Sequence, residues 1–422
     1  MAQFISHRGY GAADQQEDAS SQSFSFVAQA CCIILTGTMA ELPTPSPTRK
    51  GTLAEIAKEF LRFGLIAYGG AAAHIAMMEQ IFVQRLGWLS RERFLDLVGA
   101  VNLLPGPTST ELAIYLGEIR GGLPGLFVAG ACFILPAAVL VVALAWAYVK
   151  YGALPNVEAL LYGVKAIVVS LIFQAIWNLA RSALKTPFLV VLVAVVLVLA
   201  FLGLPVVLLL IASGLVCVFV RITSARRLAA ASPFAFALQG SVAIPSVGVL
   251  SIFLYFLKVG AVIFGSGYVL LAFMRADLVM KLHWLTDTQL LDAIAISQAT
   301  PGPFFTVSTF IGYVLAGWKG AIVGTIGMFV PAFTYVAATA SFLPKLRKSP
   351  TASAFLDGVN AAVIALMAYV GWQFARAAIV NAQTLLIALV GAVLLLKFKL
   401  NSAWLVLGAA ALGILLHVLG WA

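Results

Sequence analysis

Long apolar stretches separated by short polar segments fill the chain from about residue 54 to its end. The clearest are Leu126–Val149, Phe188–Phe201, Val206–Val220 and Ala403–Leu419. A helix needs roughly 20 apolar residues to cross a bilayer, so the shorter stretches must tilt or include flanking residues. Helices suit lipid because they satisfy every backbone N–H and C=O within one segment. The pattern therefore predicts an all-α polytopic membrane protein.

The apolar pattern of the first half is repeated in the second. Residues 60–110 and 256–306 align without a gap at an offset of 196, and after a one-residue gap the match continues at an offset of 195. The shared positions include Phe60, Gly64, Gly69, Trp88, Leu89, Asp96 and 105–107, which match Phe256, Gly260, Gly265, Trp284, Leu285, Asp292 and 301–303. Duplicated apolar segments interrupted by Gly and Pro are the best sequence indication of a transporter whose site lies between repeats.

Each half contains the same series of segments. A Gly-broken apolar segment is followed by a polar loop, a segment broken by Pro-Gly-Pro, a long helix and three further helices. These lie at 54–83, 84–93, 94–117, 121–149, 157–180, 187–202 and 204–222, and again at 248–274, 275–289, 290–313, 317–343, 354–378, 382–397 and 402–421. We therefore assign a first repeat to 54–222, a basic linker to 223–247 and a second repeat to 248–422. Residues 1–50, which have no copy, are expected to form a disordered extension, or to reflect a start codon placed too early, with Met39 as the true start.

Equivalent loops of the two halves differ in charge. The first polar loop carries Arg85, Arg91 and Arg93, whereas its copy carries Lys281 and His283 beside two aspartates. The turn after the long helix has one lysine in the first half and three basic residues in the second. Positive loops favour the cytoplasmic side, so equivalent loops should face opposite sides of the membrane. This predicts an inverted repeat, with about ten transmembrane helices if the Pro-Gly-Pro segments are re-entrant.

Composition narrows the function classes. The chain of 422 residues is 62% hydrophobic and 10% charged, whereas soluble domains are about half apolar and about a quarter charged. Its net charge of +10 comes from basic residues scattered between apolar segments, which fits loops beside anionic lipid better than a nucleic-acid surface. The four cysteines lack metal-ligand spacing, and the sequence contains no P-loop and no nucleophile elbow. We expect a lipid bilayer around the protein, and no enzyme activity, cofactor, metal or nucleic-acid partner.

The two Pro-Gly-Pro motifs are the first candidate site. Proline lacks the N–H of a helix interior and keeps the preceding residue out of the α region, so each motif ends one helix and allows another to begin. A new helix offers unpaired N–H groups and the positive end of its dipole to an anion, although a packed kink is the alternative. The candidate binding residues are Asn102, Pro105, Gly106, Pro107, Thr108, Thr110, Gln298, Pro301, Gly302, Pro303 and Thr306, with further hydroxyls at Ser109 and Ser308.

Glycine clusters and two aligned cations supply further candidates. The clusters at 64–74 (GLIAYGGAAAH) and 260–270 (GAVIFGSGYVL) contain three glycines each, which permit either close helix packing or a broken helix beside a ligand. Arg62 and Lys258 lie one turn before these clusters and could offset anionic charge. The candidate binding residues of this group are Gly69, Gly70, Gly265, Ser266, Arg62 and Lys258.

Three residues of the first half are candidates for carrying a proton: Glu111, Glu79 and His74. Ionisable side chains in apolar segments are costly in lipid and usually face a cavity or a partner. Neither glutamate has an acidic counterpart in the second half, and His74 has no ionisable one. Glu111 could equally pair with Arg120 or Arg62, and His74 could equally form a local hydrogen bond.

At these residues the chain resembles the bacterial chromate ion transporter family. The resemblance rests on the Phe- and Gly-containing stretches 60–71 and 256–267, on LLPGPT at 103–108 and on QATPGPF at 298–304. It covers about 55–422, as a long, two-domain member of the family. It implies a multi-pass inner-membrane protein that exports chromate, driven by the proton motive force or by anion exchange. Sulfate or another oxyanion is the alternative substrate, and an integral-membrane enzyme acting on a lipid phosphate is a remote alternative. The oligomeric state stays open, a homodimer included.

Such a substrate constrains the chemistry of its site. Chromate offers only acceptor oxygens at neutral pH, so every group that binds it must be a donor or a cation. We expect both Pro-Gly-Pro breaks to meet near the bilayer midplane, across the pseudo-twofold axis of the repeats.

Overall fold

The structure, a computed structural model, describes residues 51–102, 104–152, 154–224, 247–263, 267, 269–339, 350–398, 400 and 402–419. These ranges contain fourteen α-helices and no strand. The predicted extension at 1–50 and most of the predicted linker at 223–247 lie outside the described residues.

The helices follow the same order in both halves. In the first half they are α1 Leu53–Ile66, α2 Ala71–Met78, α3 Arg91–Val101, α4 Thr108–Tyr151, α5 Pro155–Ala183, α6 Pro187–Phe201 and α7 Val206–Ser224. In the second half they are α8 Val249–Val262, α9 Val269–Met274, α10 Asp287–Ala299, α11 Val307–Thr339, α12 Pro350–Ala378, α13 Ala382–Lys397 and α14 Ser402–Val418. The predicted all-α fold of two homologous halves with Gly- and Pro-broken helices is confirmed.

The predicted polar loops begin later than the sequence suggests. After α2 and α9 the chain continues as a π-helix, at Glu79–Arg85 and at the aligned Arg275–Lys281. These turns stay helical because apolar side chains among the charged ones still face the core; Leu278, for example, is fully buried. The stretch 275–289, which we assigned to a loop, is therefore helical over its first half.

Helices α4 and α11 are each a pair of antiparallel arms. The chain reverses at Gly122 and at Gly317, where φ is 65° and 61°, values that glycine adopts without strain. Across the second reversal, the Thr309 and Thr325 hydroxyls lie 2.7 Å apart. The arms approach so closely that a side chain at Gly312 would overlap the backbone of the facing arm.

The two halves interlock. Helix α1 packs on α4 and α8 packs on α11, and α4 and α11 also contact each other. Helices α6 and α7 pack on α12 of the opposite half, whereas α13 and α14 pack on α5. Backbones touch at these crossings, since a side chain at Gly163 or at Gly358 would overlap a carbonyl of the opposite half. Neither half therefore buries its apolar faces alone.

Apolar length agrees with a multi-pass membrane protein. Within the described ranges, the segments long and apolar enough to cross a bilayer are Thr108–Tyr151, Glu158–Ala183, Phe304–Thr339 and Ser353–Ala378. Shorter apolar helices occur at Pro187–Phe201, Val206–Arg221, Val249–Val262, Ala382–Lys397 and Ser402–Val418. Many of their large apolar side chains are exposed, as expected for surfaces in contact with lipid.

Candidate anion site between the two repeats

Each Pro-Gly-Pro break is bonded to the broken first segment of the opposite half. The N–H of Gly106 donates to the carbonyl of Ile263 at 2.7 Å, and the N–H of Gly302 donates to the carbonyl of Ala67 at 2.7 Å. Donors and acceptors of the two bonds are aligned residues of the repeat, so the bonds form a pseudo-twofold pair. All four helix breaks therefore lie together.

Both central glycines are required by geometry. Their φ angles are 142° at Gly106 and 97° at Gly302, a region that side-chain-bearing residues rarely adopt. A side chain at position 106 would overlap the carboxylate of Glu111, and one at position 302 would come within 2.6 Å of the Ala137 side chain. The close contact between the halves is thus possible only with glycine.

A small cavity lies beside this contact and is lined by both halves. Its volume is about 40 Å³; a buried water needs about 10–15 Å³ on this scale, so the cavity has room for roughly three waters. The described residues that line it are Gly69, Gly70, Ala71, His74, Thr108, Ser109, Gly267, Gln298, Phe304 and Phe305.

Four helical segments begin at the cavity. Helix α2 starts after Gly70, α4 starts after Pro107, α9 follows Gly267, and the turn Phe304–Thr306 leads into α11. The beginning of a helix carries a partial positive charge of about half an elementary charge. Helix ends of this kind favour an anion in the cavity, whose described wall contains no charged side chain.

At α4 the N–H groups that remain for a ligand can be named. The N–H groups of Thr110 and Glu111 donate to the Pro107 carbonyl at 2.8 and 2.9 Å. Those of Thr108 and Ser109 occupy the first two helical positions, which have no acceptor within the helix, and no side chain caps them. Thr108 and Ser109 both line the cavity.

A buried histidine connects this wall to the contact between halves. His74 is 1% exposed, and its Nε2 lies 3.1 Å from the carbonyl of Ala67, the same carbonyl that accepts from Gly302. Because a carbonyl only accepts, Nε2 carries the hydrogen and donates it. In the neutral ring Nδ1 then accepts from the Ser109 hydroxyl at 3.4 Å.

Some predicted binding residues lie near the cavity without lining it. Thr110 and Thr306 are fully buried, and the Thr306 hydroxyl donates to the Pro303 carbonyl at 2.9 Å. Asn102 is exposed at the end of α3, whereas its aligned partner Gln298 is buried in the cavity wall. The prolines of both motifs shape the backbone but are not among the described lining residues.

The aligned cations also lie outside the described cavity wall. Lys258 is half exposed, with its Nζ 3.5 Å from a carboxylate oxygen of Asp277. Arg62, on α1, is partly buried and is not a lining residue. Gly265 and Ser266, also predicted to bind, fall outside the described residues.

The two carboxylate candidates have different surroundings. Glu79 forms an ion pair with Arg91 at 2.9 Å and is not in the cavity wall. Glu111 is fully buried against Gly106, and among the described residues neither of its carboxylate oxygens has a hydrogen-bond partner. The alternative pairings with Arg120 or Arg62 do not occur among the described residues, where Arg120 pairs with Glu55 at 3.0 Å.

Sequence reasoning missed the aromatic wall. Phe304 and Phe305 stand where the first repeat has Thr108 and Ser109, so the cavity has a hydroxyl-bearing wall from one half and an aromatic wall from the other. The alignment of the two repeats shows this difference, but a search for polar ligands alone does not select aromatic residues. Apolar walls lower the local dielectric, which strengthens the donors opposite them.

Comparison with known proteins places the chain in a family. A model of the chromate transporter family matches it twice, at residues 54–218 and 250–414. The chromate transport protein of Cupriavidus metallidurans is 33% identical over 382 residues, which cover 87% of this chain and 94% of the relative. For the probable chromate transport protein of Synechococcus elongatus the identity is 30% over 377 residues, covering 86% and 95%.

A third relative agrees with these two. The chromate transport protein of Pseudomonas aeruginosa is 34% identical over 330 residues, or 73% of this chain and 77% of the relative. No solved structure matches the chain significantly. With the family model matched in both halves, and relatives at this identity covering most of its length, the chain belongs to the chromate transporter family.

Proposed function

We propose that the chain is a secondary active transporter that exports chromate through the bacterial inner membrane. The family match and the names of the relatives support the substrate. The single observation that carries the proposal is the cavity between the repeats, where four helical segments begin. As a member of a transporter family, the protein moves its substrate unchanged rather than reacting with it.

The cavity matches the chemistry of a tetrahedral dianion. The N–H groups and hydroxyls of Thr108 and Ser109, the Gln298 amide and the N–H groups at the start of α2 are donors, and chromate supplies only acceptors. Hydrogen bonds to a charged group contribute about 1.5–3 kcal/mol each. Helix ends offset the negative charge locally, and Arg62 adds positive charge from a greater distance, whereas the charge of Lys258 is partly compensated by Asp277.

A proton can be coupled to binding through His74. When Nδ1 of His74 gains a proton, it becomes a donor to the Ser109 oxygen, and the Ser109 hydroxyl hydrogen is then free to point at the anion. Glu111, buried behind Gly106 at the same helix end, is the second carrier in this proposal. Glu79 is the weakest of the three because Arg91 already compensates its charge. Exchange with another anion is the alternative driving force.

The experiment that tests the function measures radiolabelled chromate accumulation in everted membrane vesicles that contain the protein. We expect accumulation above empty vesicles, its loss with a proton uncoupler, and competition by excess sulfate, because sulfate shares the shape and charge of chromate. Accumulation that resists the uncoupler would favour anion exchange. No accumulation above empty vesicles, with the protein present in the membrane, contradicts the proposed function.

A further inference from the structure

A buried ion pair outside the cavity wall joins the second repeat to the first. On α10, Asp292 has one carboxylate oxygen 3.3 Å from Nζ of Lys165 on α5. Its other carboxylate oxygen accepts from the Tyr148 hydroxyl on α4 at 3.0 Å. The Asp292 side chain is 3% exposed and that of Lys165 is 19% exposed. Nothing in the proposed binding of chromate uses these three residues.

The first repeat has an aspartate aligned with Asp292, but the second repeat has no lysine aligned with Lys165. The aligned carboxylate of the first repeat, Asp96, is exposed on α3, and Asn360 stands at the position aligned with Lys165. A buried ion pair adds little net stability, because desolvation of both charges offsets their attraction. Because Asn360 replaces the lysine, a lysine–aspartate pair at these aligned positions is possible in one repeat alone, which points to a difference in how the two repeats work.

The segments that carry the two aspartates are docked differently. Helix α10 packs on α5, α12 and α14, and α9 packs on α12 with all six of its residues buried. Helices α2 and α3 pack mainly on α4, and the first three residues of α2 are exposed. Among the described residues, the α9–α10 segment is thus seated on helices α5 and α12, whereas the α2–α3 segment packs mainly on α4.

We propose that Asp292, held by Lys165 and Tyr148, is a proton-binding latch that keeps the α9–α10 segment docked. Binding of one proton turns the Asp292 carboxylate into a neutral acid and removes its ion pair with Lys165, which stays an ammonium. The segment is then released from α5. Since Gln298 lies on this segment and the Phe304–Thr306 turn follows it, release opens the cavity on that side.

The latch depends on few neighbours. Within the described ranges, the ionisable groups that face Asp292 from the helices packed against α10 are Lys165 and Tyr148. A latch of this kind couples proton binding to movement without touching the substrate. The inference rests on the proposed transport of chromate, and its test must separate loss of coupling from loss of transport.

The test uses purified protein in proteoliposomes and two measurements with radiolabelled chromate. Counterflow at equal pH reports binding and movement, and accumulation driven by a pH gradient reports coupling. For Asp292→Asn we expect counterflow to persist with a flattened pH profile, while gradient-driven accumulation falls about tenfold, within the usual range of coupling between two sites. The matched control, Asp96→Asn at the aligned exposed position, should change neither measurement.

A second variant distinguishes a loss of coupling from a folding defect. Asp292→Asn leaves Lys165 as a partly buried unpaired charge, whereas Asp292→Asn combined with Lys165→Gln removes both charges and avoids that penalty. The double variant should show the same uncoupled behaviour. The latch is overturned if the double variant accumulates chromate as the wild type does. It is also overturned if counterflow and gradient-driven accumulation fall equally in a variant that elutes and melts like wild type. Absence of counterflow in the wild type instead overturns the proposed function, and the latch with it.

Discussion

Gly106 and Gly302 each do three things at once. They place an N–H against the opposite half, adopt a positive φ and leave room for a neighbouring side chain. A residue with a side chain cannot satisfy all three requirements, so the contact between the repeats depends on the absence of a Cβ atom at both positions.

We predict that Gly106→Ala abolishes most chromate accumulation in vesicles while the protein still inserts. The added methyl group meets the Glu111 carboxylate in a sparsely populated backbone conformation that costs about 1–3 kcal/mol for residues with a side chain. Gly408→Ala is the control, because Gly408 lies in a helix and a methyl group there would meet no atom within 4 Å. Equal accumulation by Gly106→Ala and wild type would show that the contact is not needed.

For Thr306 we predict a loss of stability without a change in transport. Its hydroxyl donates to the Pro303 carbonyl and is not in the described cavity wall. Thr306→Val should therefore lower the free energy of unfolding by about 1 kcal/mol, the typical value of one hydrogen bond, and leave the half-saturating chromate concentration unchanged. Transport kinetics and thermal unfolding of the purified variant check both parts. A clear rise in the half-saturating concentration would place this hydroxyl at the substrate after all.

For single residues, the sequence identifies hydrogen-bond donors better than it predicts where they lie in the fold. Asn102 and Gln298 occupy aligned positions, yet one is exposed and the other lines the cavity, because α3 and α10 are docked differently. Arg62 and Lys258 were aligned correctly but do not line the described cavity wall. Spacing along one helix does not say which neighbouring helix covers each face.

Helices α4 and α11 owe their shape to small residues. Each reverses at a glycine with positive φ and then packs its second arm against its first at backbone distance. The predicted boundary between the Pro-Gly-Pro segment and the long helix matches this reversal. Its tightness was not predictable, because 36 glycines are spread through the chain and only the paired arms show which of them must be in contact.

We predict that Gly312→Val destabilises the purified protein in detergent. The new side chain would overlap the backbone of Gly320 on the facing arm, and overpacking of this kind costs about 1–3 kcal/mol. The melting temperature should fall, whereas Gly408→Val, at a position with open space, should leave it unchanged. An unchanged melting temperature in Gly312→Val would contradict the close packing of the two arms.

For the molecule as a whole, the sequence repeat predicts two related halves but not their interlocking. Helices α6 and α7 cover α12, and α13 and α14 cover α5, so each half completes the core of the other. The partners of these pairs are far apart along the chain, and apolar periodicity shows only that each helix has a face to bury.

Interlocking predicts the behaviour of separated halves. Two chains divided within 225–246, between α7 and α8, should each give background accumulation when produced alone, because α5 and α12 then lack their covering helices. Produced together, they should restore chromate accumulation in vesicles. Transport by either half alone would show that the interface between halves is dispensable.

The central claim is that chromate binds in the cavity where the two repeats meet. Equilibrium binding of radiolabelled chromate to the purified protein tests it most directly, with Ser109→Ala as the site variant and Ser213→Ala, whose hydroxyl bonds to its own helix, as the control. We predict saturable binding to wild type and to Ser213→Ala. When His74 is protonated and leaves the Ser109 hydroxyl free for the anion, we predict a loss of affinity of about tenfold or more in Ser109→Ala, the effect of one hydrogen bond to a charged group. Wild-type affinity in Ser109→Ala, or no saturable binding to the wild type, would contradict the claim.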